Sequence, residues 1–67
     1  MSEPLMQFFV WDHLPSHLRV ISQPFGELAQ RLVETVPANL ERSEALRKLL
    51  EAKDCAVRAA VYKVSQS

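Results

Sequence analysis

Apolar side chains recur in two long stretches of this chain with the spacing of helical faces, and a short proline-containing break separates them. In the second stretch Leu46, Leu49, Leu50, Val57, Ala60, Val61 and Val64 follow the i, i+3, i+4, i+7 pattern of an amphipathic helix. Neither glycine nor proline interrupts it. Asn39, two residues after Pro37, is an N-cap residue type, and Glu41 places a carboxylate in the first turn, where the helix dipole favours it. The spacing therefore predicts a helix over 39–64. Glu44 stands four residues before Lys48 and Asp54 four before Arg58, so two ion pairs are expected on the wet face.

In the first stretch Leu14, Leu18, Ile21, Phe25, Leu28, Leu32 and Val36 keep one helical phase, with Ala29 and Val33 widening the stripe. A helix over 14–36 follows, beginning near Pro15 or Ser16. Pro24 lacks an amide proton and crowds the preceding turn, and Gly26 weakens the next, so the helix is expected to kink or break near Pro24. In a full break, Ser22 would cap the second piece. Pro37 ends the helix, because the residue before a proline avoids the helical region. Pro37, Ala38 and Asn39 leave only a tight connection, which turns the two helices antiparallel.

Residues 1–13 form an arm. The run from Leu5 to Trp11 reads as extended or irregular, since a lone strand would have no partner in a helical chain. The fold class is thus all-α: one domain over 1–67, an antiparallel helical hairpin with a short N-terminal arm.

Composition adds a problem of size. A chain of 67 residues buries a small share of its surface, and small domains are usually reinforced by disulfides, metal or assembly. Cys55 is the only cysteine, so no internal disulfide forms, and two histidines with one cysteine do not make a structural zinc set. Homo-oligomerisation is the expected remedy, with no cofactor. The chain is 48% apolar, and Phe8, Phe9, Trp11 and Phe25 all fall in its first half, more than two helices readily hide. Eight basic and eight acidic side chains cancel, which argues against DNA or RNA as a partner. The apolar run at 5–11 is too short to span a bilayer and lacks the features of a secretion signal, and a lone thiol suits the cytosol. A soluble intracellular protein without membrane attachment is expected.

Few residues suggest catalysis. His13 beside Asp12 could serve as an oriented base and Cys55 as a nucleophile, against a plainer reading as a turn histidine and a small buried thiol. Gly26 is the only glycine, so there is no glycine-rich phosphate loop. The chain is read as a non-enzyme. Trp11, with Phe8 and Phe9, offers either a stacking face for a base or core and interface packing. Lys53 falls inside the apolar stripe of the second helix, so its ammonium must snorkel, pair or meet an anion. Arg58 either pairs with Asp54 or presents its planar fork to a phosphate. Arg42 and Arg47 read as solvated surface charges. Ala45, Ala52, Ala56, Ala59 and Ala60 permit close helix approach.

Between Leu28 and Val61 the chain runs Leu28-Ala29, Val33-Glu34, Val36-Pro37, Glu41, Ser43, Ala45-Leu46, Leu49, Glu51-Ala52 and Ala56. In these residues and their spacing the block resembles the helical-hairpin domain of the phage anti-CBASS cyclic-nucleotide sponges, a domain shared with one class of anti-Thoeris sponges. It covers about half the chain. The His13-Leu14-Pro15 turn is similar to the family's His-x-Pro step, and Trp11 stands nearest to the aromatic that stacks on ligand bases. The family's Arg-Tyr-centred stretch with its phosphate-binding lysine has no clear equivalent before Leu28, where Pro24-Phe25-Gly26 stands, and its Trp-Ala-Asn is replaced by Cys55-Ala56-Val57.

The resemblance implies a small helical oligomer, often a hexamer, that withholds a cyclic nucleotide or cyclic ADP-ribose-type signal from bacterial immune effectors without cleaving it. Its place of action would be the cytoplasm of the bacterial host. The candidate ligand residues are Trp11 for base stacking, Lys53 and Arg58 for phosphate, and His13 as a hydrogen-bond donor. A structural or adaptor hairpin that binds only protein, through Phe8, Phe9 and Trp11, is the alternative.

Overall fold

The computed structural model describes residues 4–61 and contains three helical elements in the order of the chain. A two-turn 3-10 segment, Pro4–Phe9, leads through the Asp12–His13 turn into α1, Ser16–Thr35, and a short connection leads into α2, Leu40–Val61. Among the described residues no strand forms, and the two long helices pack as a hairpin. Val64 and the last turn expected for the second helix lie outside the described residues.

Each boundary of the hairpin has a chemical cause. Pro15 occupies the cap position of α1 with φ −58° and ψ 152°, and its carbonyl accepts from the Leu18 and Arg19 amides at 3.0 and 2.9 Å. The helix then runs unbroken through Pro24, so Ser22 caps nothing. Proline's missing amide removes one hydrogen bond, but the turns on either side remain anchored by packing against the arm and α2. At the far end Val36 turns extended, with φ −107° and ψ 134°, and its amide makes the last bond, to the Leu32 carbonyl at 2.9 Å. Asn39 caps α2 as its residue type predicts: its Oδ1 accepts from the Arg42 amide at 2.9 Å.

The core is small and draws on all three elements. Phe9 of the arm, Ala29 of α1 and Leu46 of α2 are its buried apolar residues among those described. Leu5, Met6, Phe25, Leu32, Val33, Leu49 and Leu50 pack around them. The arm is therefore part of the core, contrary to its expected extended or irregular form. In a 3-10 helix residues i and i+3 eclipse, which stacks Met6 and Phe9 on one edge and turns both toward the hairpin.

Burial departs from the apolar stripes in an instructive way. On α1 the buried line is Ser22, Gly26 and Ala29, and the bulky Leu28 is exposed. Small residues take the closest approach while the larger side chains flank it. A β-carbon built on Gly26 would lie 2.6 Å from Cδ1 of Trp11 and 2.8 Å from the Phe9 carbonyl oxygen. The glycine thus admits the arm to the surface of α1. On α2 burial fades toward the C-terminus: Arg42 and Leu46 are buried, Leu49 and Leu50 are half-buried, and Ala60 and Val61, placed in the stripe by their spacing, are exposed.

Arg42 is the largest departure from its expected role as a surface charge. It is only 8% exposed, and its Nη1 donates to the carbonyls of Val33 and Val36 at 3.2 and 3.0 Å. These carbonyls belong to the last turn of α1, where the helix leaves its acceptors unmet and its dipole favours a cation. One side chain of α2 therefore closes the C-terminus of α1.

A groove where the arm meets the open end of the hairpin

The end of the hairpin away from the connection carries a solvent-open groove of about 400 Å³. Gln7, Phe8 and Val10 of the arm form one wall, and His13 and Leu14 of the turn close one side. Ser22 contributes from α1, and Lys53, Asp54, Val57 and Arg58 from α2 complete the site. Three of the four residues singled out for ligand binding, His13, Lys53 and Arg58, thus share one groove although the turn and α2 lie far apart in sequence. The helical spacing of Lys53, Asp54, Val57 and Arg58 places them on one face of α2.

The fourth residue, Trp11, lies elsewhere. It lines a second, more apolar depression of about 390 Å³ with Met6, Phe9, Val10, Gly26, Glu27 and Gln30. Its ring rests against Gly26 and it is half-buried. Phe8, 53% exposed, is the aromatic side chain that the cationic groove itself presents.

The charges of the groove are partly engaged. Lys53, with only 16% of its side chain exposed, pairs with the neighbouring Asp54 carboxylate at 3.1 Å, which answers how an ammonium tolerates the apolar stripe. The expected Asp54–Arg58 pair is not formed. Arg58 is exposed and its Nη2 donates to Cys55 Sγ at 3.3 Å. Cys55 is itself exposed rather than a buried thiol, because it falls on the outer side of α2. It does not line the groove with His13, so the two residues considered for catalysis do not share that site.

On the opposite flank the expected Glu44–Lys48 pair is present at 3.2 Å, and Arg47 approaches the same carboxylate at 3.6 Å. All three are surface charges. Among the described residues no group of three or more His, Cys, Asp or Glu side chains is placed to hold a metal ion, and no helix is long and apolar enough to cross a membrane.

Sequence reasoning missed Ser22. Its hydroxyl is shielded from solvent with no hydrogen-bond partner among the described residues, and the residue lines the groove. The available signal was a serine on the inward face of α1, four residues before the chain's single glycine.

Comparison with known proteins finds no matching family model, no matching curated protein and no matching solved structure.

Proposed function

We propose that the chain captures a phosphate-bearing small molecule of the cyclic-nucleotide class in the groove at the open end of the hairpin, and sequesters it without chemistry. The observation that carries this reading is the convergence of His13, Lys53 and Arg58 on one groove beside the exposed Phe8. Cations placed next to an aromatic face suit a ligand with both phosphate and base. A volume near 400 Å³ is also in the range of small-molecule sites.

The resemblance of residues 28–61 to the phage sponges supplies the class of ligand and the biological setting: interception of a cyclic nucleotide or cyclic ADP-ribose-type signal in the cytoplasm of an infected bacterium. It also supplies the homo-oligomer. A groove open on one side gains its missing wall from a second copy, and the exposure of Phe8 and Val10 leaves apolar surface for that contact. In such an assembly Trp11 would act on a neighbour's ligand, since its own groove-facing role passes to Phe8.

Native mass spectrometry, on the protein alone and after incubation with cyclic di- and trinucleotides and cyclic ADP-ribose isomers, tests the reading. A discrete oligomer carrying whole numbers of nucleotides is expected. An assembly that captures none of them would sink the sponge reading.

The second reading, a hairpin that binds only protein, is favoured by Leu40. This leucine is 86% exposed at the first position of α2, close to the helix connection and far along the chain from the groove residues of α2.

A further inference from the structure

Ser22 is a polar side chain on a line that is otherwise given to close packing. It lies one turn before Gly26 and two before Ala29, on the face of α1 that meets the rest of the molecule, and is 3% exposed. A serine within a helix commonly returns its hydroxyl to the carbonyl four residues back. No such bond forms here: Ser22 Oγ is shielded and has no hydrogen-bond partner among the described residues. A buried hydroxyl left in this state destabilises the fold, and alanine would suit both the helix and the apolar surroundings better. Stability therefore does not account for a serine at this position.

Its location does. Ser22 lines the groove that holds Lys53, Arg58 and His13, and it is the residue contributed to that groove by the body of α1. Lys53 and Arg58 both approach an anion from α2, so their donors hold it from one side. A hydroxyl donor from α1 adds a second direction, because it meets one oxygen at one angle.

We propose that Ser22 is a ligand-binding residue whose hydroxyl donates to a phosphate oxygen of an anion held between Lys53 and Arg58. This rests on the groove reading above and narrows it to phosphate esters slim enough to put one oxygen against α1. The hydroxyl is covered, so the ligand reaches it by displacing a side chain of the groove wall. Asp54 must also yield part of its hold on Lys53, which they share at 3.1 Å. A ligand carrying two negative charges competes for that ammonium better than a ligand carrying one.

The test is calorimetric titration of the full chain with inorganic phosphate, AMP and cyclic di-AMP, for the wild type, Ser22→Ala and Lys53→Met, alongside thermal melting of each protein without additive. The expected result is that Ser22→Ala weakens binding of AMP or cyclic di-AMP by roughly tenfold, the loss of one hydrogen bond to a charged group, while its melting midpoint stays level or rises. Lys53→Met weakens binding at least as much. Full-strength binding by Ser22→Ala with weakened binding by Lys53→Met would overturn the role of Ser22 and leave the groove reading in place. A lowered midpoint for Ser22→Ala would show a hydroxyl satisfied within the protein, and also overturn it. Failure of the wild type to bind any of the three probes would overturn both.

Discussion

Arg42 Nη1 donates to the Val36 carbonyl at 3.0 Å, joining the first turn of α2 to the capping residue that ends α1 across the connection. The same nitrogen reaches the Val33 carbonyl at 3.2 Å. Hydrogen bonds to a charged group contribute about 1.5–3 kcal/mol, and truncation would strip two carbonyls of this donor. Arg42→Met is therefore expected to lower the melting midpoint by roughly 10 °C, given about 4–8 °C per kcal/mol in a domain of this size. Arg42→Lys should recover little, since an ammonium lacks the planar fork. A midpoint unchanged in the methionine variant would rule out this latch.

Gly26→Ala pits two effects against each other. Alanine gains about 1 kcal/mol of helix propensity over glycine. Its methyl group, however, would sit 2.6 Å from the Trp11 ring and 2.8 Å from the Phe9 backbone oxygen, and the second of these cannot turn away as a side chain can. Overpacking costs typically about 1–3 kcal/mol, so net destabilisation is expected, together with a changed Trp11 fluorescence maximum as the ring is pushed outward. Urea denaturation followed at Trp11, the chain's only tryptophan, reads both.

Phe9→Ala addresses the arm. Removing a buried phenyl ring costs about 3–5 kcal/mol, while a core in a chain this short rarely contributes more than about 3–5 kcal/mol in all. The variant should lose most of its helical circular-dichroism signal at 25 °C. A fully helical variant would mean that α1 and α2 hold together without the arm.

Asn39→Ala removes the side-chain oxygen that accepts the Arg42 amide at 2.9 Å. The expected cost is about 1 kcal/mol, with Asn39→Asp nearly neutral because aspartate caps equally well. Equal midpoints for wild type and alanine variant would show that the backbone alone sets the start of α2.

Phe8 and Trp11 separate binding from folding. Phe8→Ala, at an exposed groove residue, should reduce capture of cyclic di-AMP and leave the melting midpoint within about 2–4 °C. Trp11→Ala should lower the midpoint, because the ring packs on Gly26. The reverse pattern would return the stacking role to Trp11.

How much of this is legible in the residues alone depends on what each position displays. Asn39 and the Leu46, Leu49, Leu50 spacing announce α2, since capping and periodicity are local properties. Pro24 marks where α1 is weakened but not whether it divides there, because a single lost hydrogen bond is outweighed by packing that spans the chain. Ser22 and Gly26 escape a search for bulky apolar side chains, yet they mark where α1 is approached most closely. Arg42 is the sharpest case. Its charge reads as exposed until the carbonyls at the end of α1 are brought beside it, and only the folded hairpin does that. Lys53 and Arg58 were visible as unusual residues, and their meeting with His13 depends on how the arm folds back.

The fading of burial along α2 divides the molecule by rigidity. Near the connection Asn39, Arg42 and Leu46 hold the helices through capping, ion-to-carbonyl bonds and full enclosure. Toward Val57 and Val61 that enclosure is lost. Backbone amides in the two regions should therefore exchange with solvent at very different rates, slow around Leu46 and fast from Arg58 to Val61. An occupant of the groove would slow exchange at the looser end, where there is protection still to be gained. Binding would then be felt as a stiffening of one extremity, with little change at the other.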